Sequence, residues 1–252
     1  MSRIQSVDRA AALLDAMADG KWHGLGRLAR ATGLAKTTAF NLVHALAGAG
    51  LAEHDLAAGA DRLGLKQVEY GRAVERRLDL IEPLRPVLMA LCAETNETVN
   101  LAVPRPLDVL IVESLEGRQN VRVTSYAGTR APYHCTAVGR AMLAHKPLAE
   151  QQALLAMPLP VLTPRTATDP AALEALLELV RRDGFASEHE ENEVGACCVA
   201  APILAPDGTV MGAISIAGPA ARMGAAAVGR WGELLLARLR RPVLPLNPGA
   251  SP

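Results

Sequence analysis

Along the first fifty residues the apolar positions recur at steps of three and four, the period of helices that bury one face. Ser6 to Ala18 is predicted as the first helix, with Ser6 as its cap and Val7, Ala10, Ala11, Leu14 and Met17 as its apolar stripe. Asp19-Gly20 ends it. Leu25, Leu28 and Ala29 mark a second helix, and Gly33 follows where a glycine lets the chain turn with positive φ. A third runs from about Ala35 to Gly48: Ala39, Leu42, Val43 and Leu46 share a face suited to burial, while Lys36, Thr37, Phe40, Asn41 and His44 share the opposite one. LAEHD and DRLGL then read as short extended segments joined around Gly59.

Three helices followed by a hairpin is the order of a winged helix-turn-helix. Next, Gln67 to Leu78 is polar with an apolar minority (Val68, Tyr70, Ala73, Val74 and Leu78), the pattern of an exposed linking helix. Ile81 to Thr95 is a further helix, with Pro83 and Pro86 near its start, where proline is tolerated. From Glu97 the period drops to two: ETVNLAV, DVLIVESLE and NVRVTSYA are predicted strands, punctuated by Gly117 and Gly128. Helices are expected over Thr136–His145 and Leu148–Met157, and another from an Asp169 cap and Pro170 at the first helical position through to Gly184. FASEHE, ACCVAAPIL and TVMGAISIA return to strand, the last two joined by the turn Pro206-Asp207-Gly208 as a hairpin. A final helix covers about Arg222 to Arg240, and the Pro-rich tail after it is expected to fray. The expectation is an α+β chain with an antiparallel sheet in its second part.

At 252 residues, with 50% hydrophobic and 21% charged positions, the chain can form one or two domains with real cores. Its formal net charge of zero hides an asymmetry: residues 1–50 carry +3 and the remainder −3. A basic head on an acidic body suits a phosphate-facing end. The start lacks the continuous apolar stretch of a secretory leader, and no run of 18 apolar residues exists to span a membrane. Cys92, Cys135, Cys197 and Cys198 show no zinc-type C-x-x-C spacing and read as reduced thiols.

The polar face of the third helix holds a cation, hydroxyls, an aromatic ring, an amide and an imidazole. Asn can bond an adenine edge bidentately, and Thr and Lys can bond phosphate. Lys36, Thr37, Thr38, Phe40, Asn41 and His44 are therefore candidate DNA contacts, with Arg62 as a candidate phosphate contact from the hairpin. Elsewhere, His134-Cys135, His189 among Glu188, Glu190 and Glu191, and Cys197-Cys198 invite a Cys/His enzyme or a metal site. No nucleophile context, Gly-rich phosphate loop or dinucleotide fingerprint accompanies them, so neither catalysis nor a cofactor is expected.

YHCTAVGRAMLA, LEALLELVRRDGFASEHEENEVGACCVAAPI and GAISIAGPAARM together resemble the effector domain of the IclR family of bacterial transcriptional regulators. SVDRAAALLDAMAD, LARATGLAKTTAFNLVHAL and RLGL are similar to that family's winged-helix domain, so the resemblance runs from about Val7 to Arg240. It implies a winged helix-turn-helix at residues 1–66, a linker helix at 67–80, a GAF-like effector-binding domain at 81–241 and a tail at 242–252. It also implies a small-metabolite pocket lined by Ala137 and Val138 at a helix start, Ala196 and Cys198 on one strand, and Ser215 and Ala217 on the next. Glu188 stands where the family often has an acid facing the site. Ala196 and Cys198, like Ser215 and Ala217, are two apart and share a strand face. The helix start at Ala137 offers backbone N–H groups to a carboxylate. Asn41 replaces an arginine common in the family's recognition helix, and Ala217 replaces a serine found in some relatives. The expected partners are double-stranded operator DNA, a small organic effector (a carboxylate or aromatic acid) and a second copy of the chain in a dimer or dimer of dimers, in the cytoplasm and away from membranes. The rival expectation is a thiol- or metal-responsive sensor built on Cys135 and Cys198.

Overall fold

A computed structural model describes residues 4–239, which divide into two compact units between Leu78 and Asp79. The expected tail at 242–252 and the expected last residue of the final helix, Arg240, lie outside the described residues.

The first unit contains α1 (Gln5–Ala16), β1 (His23–Gly24), α2 (Leu25–Thr32), α3 (Lys36–Gly48), β2 (Ala52–Asp55), β3 (Ala60–Leu63) and α4 (Lys66–Glu75). Its core is Leu13, Met17, Leu28, Ala29, Ala39, Val43, Leu46 and Ala52, all buried. The stripe of α1 differs in part from the expected one: Met17 is buried and Ala10 and Leu14 pack against the core, but Leu13 is buried too, Val7 and Ala11 are exposed, and Ser6 lies inside a helix that starts after Ile4 without a side-chain cap. Apolar spacing alone does not rank the adjacent Leu13 and Leu14 on a short alanine-rich helix; packing against α2 and α3 buries the first fully and the second in part. Gly33 takes φ 66°, and the chain leaves α2 through Leu34 N–H to Ala29 O at 3.0 Å. The sheet order is β1-β3-β2, all antiparallel. The two-residue β1 was too short to show a period; pairing of His23 with Asp61 creates it.

The second unit contains α5 (Ile81–Thr95), β4 (Thr98–Pro104), β5 (Val109–Leu115), β6 (Arg130–Ala131), α6 (Ala137–Leu143), α7 (Leu148–Leu155), α8 (Pro170–Asp183), β7 (Ala186–His189), β8 (Ala196–Leu204), β9 (Val210–Pro219) and α9 (Ala225–Leu239). Six antiparallel strands run in the order β6-β5-β4-β9-β8-β7. Asp169 caps α8 by accepting from Ala172 N–H, and Gly184 closes it at φ 81°. NVRVTSYA is not a strand. Its carbonyls are taken by side chains instead of a ladder: Thr98 donates to Val123 O, Ser114 to Ser125 O and Arg222 to Val121 O. The sheet edge is finished by the short β6, paired with β5.

The register sorts the sheet into two unlike faces. Val99, Leu101, Val199, Ile214 and Ile216, each fully buried, alternate onto one. The other carries Thr98, Asn100 and Ala102 on β4, Ala213, Ser215 and Ala217 on β9, and Cys198 and Ala200 on β8. Ala137, Val138, Ala141 and Met142 of α6 share one buried cluster with Ala102, Ala200 and Ala213, so α6 covers this second face.

Candidate functional site: an exposed helix face and a buried sheet face

The face of α3 opposite Ala39, Val43 and Leu46 is solvent-facing. Lys36, Thr37, Phe40, Asn41 and His44 are exposed and Thr38 is half-buried. The Phe40 and His44 rings stack at 6.1 Å with 9° between planes, which fixes the imidazole along the helix. Arg30 also belongs to this surface, although its place in the apolar pattern of α2 gave no sign of it. A Cβ built on Gly26 would stand 3.8 Å from Arg30 Nη1 and 3.9 Å from Lys36 Cε, so the two cationic chains flank the same point. Arg62 is differently placed from the expected free phosphate ligand. Its Nε and Nη2 donate to Glu53 Oε2 at 2.9 and 2.7 Å, and its guanidinium lies 4.4 Å from the Trp22 ring centre. The cross-strand pairing of Glu53 with Arg62 brings these charges together.

In the second unit the structure brings the candidate residues onto the α6 side of the sheet. Glu188, Cys198, Ala217 and Thr98 stand in one row across β7, β8, β9 and β4. Ala186, Ala200, Ser215, Asn100 and Ser114 form the adjacent row. Ala196 lies further along β8 on the same face, opposite Pro219. The middle of these rows is floored by small side chains, while the polar groups stand toward the ends. The loop through Val123 and Ser125 is tied over the β4–β5 end by the Thr98 and Ser114 hydroxyls.

Ala137 and Val138 begin α6 beneath a Thr136 cap. The Thr136 hydroxyl accepts from Gly139 N–H at 3.1 Å and donates to Pro132 O at 2.6 Å. One of the N–H groups expected for a ligand is therefore already used. Gly139 is required there, since a Cβ would sit 2.6 Å from Pro132 O.

Glu188 is 3% exposed, and burial raises its carboxyl to about 7, against the bond it accepts from Glu191 N–H. Beside it Arg140, 1% exposed, donates from Nε to His134 O at 2.7 Å and from Nη1 to Glu191 Oε1 at 2.7 Å. Arg140 and Glu191 thus lock the start of α6 to the β7–β8 turn. Arg140 was not singled out from the sequence, and Glu191 was noted only among the acids around His189, because a buried ion pair has no local spacing. Asn100 and Thr98 were also missed, although polar residues alternating with Val99 and Leu101 in a strand are a readable signal.

The thiols offer little chemistry. Burial pushes Cys135 and Cys197 up to about 12, and burial together with Glu188 holds Cys198 well above the ordinary thiol range. Among the described residues, no three His, Cys, Asp or Glu side chains gather into a metal-holding group, so His134 and Cys135 are not joined by acids in that way. A separate cavity of about 270 Å³ lies beside α6 and α7, lined by Tyr133, His134, Leu143, Leu154, Met157 and Pro160. Its wall is mainly apolar and includes none of the residues named above on β4, β7, β8 and β9, whereas the sheet face concentrates the buried polar groups that can orient a ligand.

A model described as the IclR helix-turn-helix domain matches residues 6–56, and one described as the bacterial transcriptional regulator IclR C-terminal matches residues 72–241. The HTH-type transcriptional regulator BhcR of Paracoccus denitrificans is 36% identical over 87% of this chain and 79% of its own. The structure of Thermotoga maritima IclR is 25% identical with a TM-score of 0.74, covering 96% of this chain and 98% of that one. An IclR homologue from Microbacterium hydrocarbonoxydans, solved in complex with 4-hydroxybenzoate, is 26% identical with a TM-score of 0.78, over 93% and 99%. The chain therefore belongs to the IclR family of transcriptional regulators, with a helix-turn-helix DNA-binding domain and an α+β C-terminal domain, and it is a regulator rather than an enzyme.

Proposed function

We propose that this regulator reads an operator through the exposed face of α3 and responds to a small carboxylate or aromatic acid held on the α6 side of the sheet. The observation that carries the reading is the row Glu188–Cys198–Ala217–Thr98, with Ser215 beside it: small side chains form the floor while buried polar groups supply direction. A carboxyl poised near neutrality, as Glu188 is, can share a proton with an acidic ligand and so avoid two adjacent charges. The 4-hydroxybenzoate complex of the Microbacterium homologue supports the ligand class.

DNA is contacted by Lys36, Thr37, Thr38, Phe40, Asn41 and His44, with Arg30 adding charge. A dimer, or a dimer of dimers, places two such heads on a pseudo-palindromic site. Ligand occupancy changes the balance between DNA-competent and incompetent states by its differential affinity for them. Cytoplasmic residence follows from this task; consistent with it, no described helix is long and apolar enough to cross a membrane.

The test is effector-dependent release or capture of operator DNA by purified variants whose folding is checked by thermal melt. Ala137→Trp is expected to abolish the response by filling the site. Cys198→Ser, which keeps the side-chain size, is expected to retain most of it. The reverse pattern would favour a thiol sensor and sink the metabolite pocket.

A further inference from the structure

We infer that Asn100 is a ligand-contacting, specificity-determining residue of this site, and that it selects for a molecule carrying a hydroxyl at the end opposite its acid group. The inference rests on the proposed effector pocket and deepens it. Asn100 is 5% exposed, and its Oδ1 is buried without a hydrogen-bond partner. Its Nδ2 donates to Ser215 Oγ at 3.5 Å, which directs the opposite edge of the amide away from Ser215. The other neighbouring hydroxyls are committed elsewhere: Thr98 donates to Val123 O and Ser114 to Ser125 O, while Ser215 Oγ meets the amide at its Nδ2 edge. A buried amide carbonyl left in this state is costly to the fold, and a ligand O–H recovers that cost on binding.

Placement gives the ligand its shape. Asn100 stands on β4 and Glu188 on β7, three strand steps away, on the same face and in adjacent rows. At ordinary strand spacing their Cα atoms are roughly 16 Å apart. That span matches one ring with a polar group at each end, hydrogen-bonded to the two side chains. Between them lie only Cys198, Ala200, Ser215 and Ala217, all small side chains with little competing polarity. The ligand class is thus a hydroxy acid of about one ring's length, its carboxyl toward Glu188 and its hydroxyl donating to Asn100.

The probes are 4-hydroxybenzoate and benzoate, which differ by the one donor, titrated calorimetrically into the full-length protein. Wild type is expected to favour 4-hydroxybenzoate about tenfold, the worth of one neutral hydrogen bond. Asn100→Leu is expected to bind the two acids equally. Asn100→Ala, which cannot clash, repeats the measurement. Because Asn100→Leu removes an unsatisfied polar atom, the melting temperature of the ligand-free variant is expected to hold or rise by a few degrees. Three results would overturn the inference alone: equal binding by wild type, a preference that survives in both variants, or a melting temperature lowered by several degrees, which would make Asn100 structural. Binding of the acids that is unaffected by Ala137→Trp, or no binding by wild type, would instead overturn the pocket reading beneath it.

Discussion

The two units carry their functional side chains in opposite ways. On α3 they stand in water: Lys36, Thr37, Phe40, Asn41 and His44 are exposed, and the core beneath is made by the other face of the same helix. On the sheet they are enclosed: Glu188 is 3%, Asn100 5% and Ser215 3% exposed, in positions that could otherwise hold aliphatic core. The opposite sheet face shows that alternative, with Val99, Leu101, Ile214 and Ile216 fully buried. A DNA-reading face costs the fold almost nothing because its polar groups stay hydrated until DNA replaces the water. A small-molecule site must exclude water in advance, so its polar groups are desolvated before the ligand arrives. Stability should therefore change when the polar groups of the sheet face are altered, and should not when those of the α3 face are.

The largest effect is expected at the Arg140–Glu191 pair. Arg140→Met leaves the Glu191 carboxylate largely buried without its partner and should cost about 3–5 kcal/mol. Urea denaturation monitored on the second unit would read it, and a loss below about 1 kcal/mol would show that Glu191 finds solvent by relaxing.

Glu188→Gln should act in the other direction. The folded carboxyl titrates at about 7 against an ordinary 4.5, so the fold holds this proton more tightly than the unfolded chain does. Its contribution favours folding below pH 4.5, declines as pH rises between 4.5 and 7, and is fully lost above 7. Removing the charge should thus stabilise the protein by about 3 kcal/mol at pH 8, and the gain should vanish toward pH 4. Melting temperatures of both proteins across that range test the sign; a gain independent of pH would assign it to something other than ionisation.

The smallest stability effect is expected on α3. Asn41→Ala should stay within about 0.5 kcal/mol of the parent in melting. It should nevertheless lose roughly 1–3 kcal/mol of preference at one base pair of the operator. Equal weakening on specific and random duplexes would make Asn41 a positioning residue, and a marked loss of stability would remove the contrast between the units.

Much of this was written locally. The helix period placed α2 and α3, the Asp169-Pro170 pair started α8, and the turn at Pro206-Asp207-Gly208 joined β8 to β9, because each depends on a few adjacent residues. Alternation correctly put Ala196 with Cys198 and Ser215 with Ala217, since strand parity is fixed by the pleat. Other features depended on residues far apart in the chain. NVRVTSYA has a strand's composition, yet hydroxyls from Thr98 and Ser114 and the Arg222 guanidinium took its carbonyls. Arg62 has the charge of a phosphate ligand, yet cross-strand Glu53 and the Trp22 ring claimed it. Only the register across four strands set Glu188 in line with Cys198, Ala217 and Thr98, and placed Asn100 beside Ser215. The sequence determined most of the elements and the face each strand side chain takes, because those follow from backbone geometry within a few residues. Which polar groups are satisfied and which remain unpartnered was decided by the tertiary structure, because hydrogen bonding and desolvation depend on neighbours that only folding supplies.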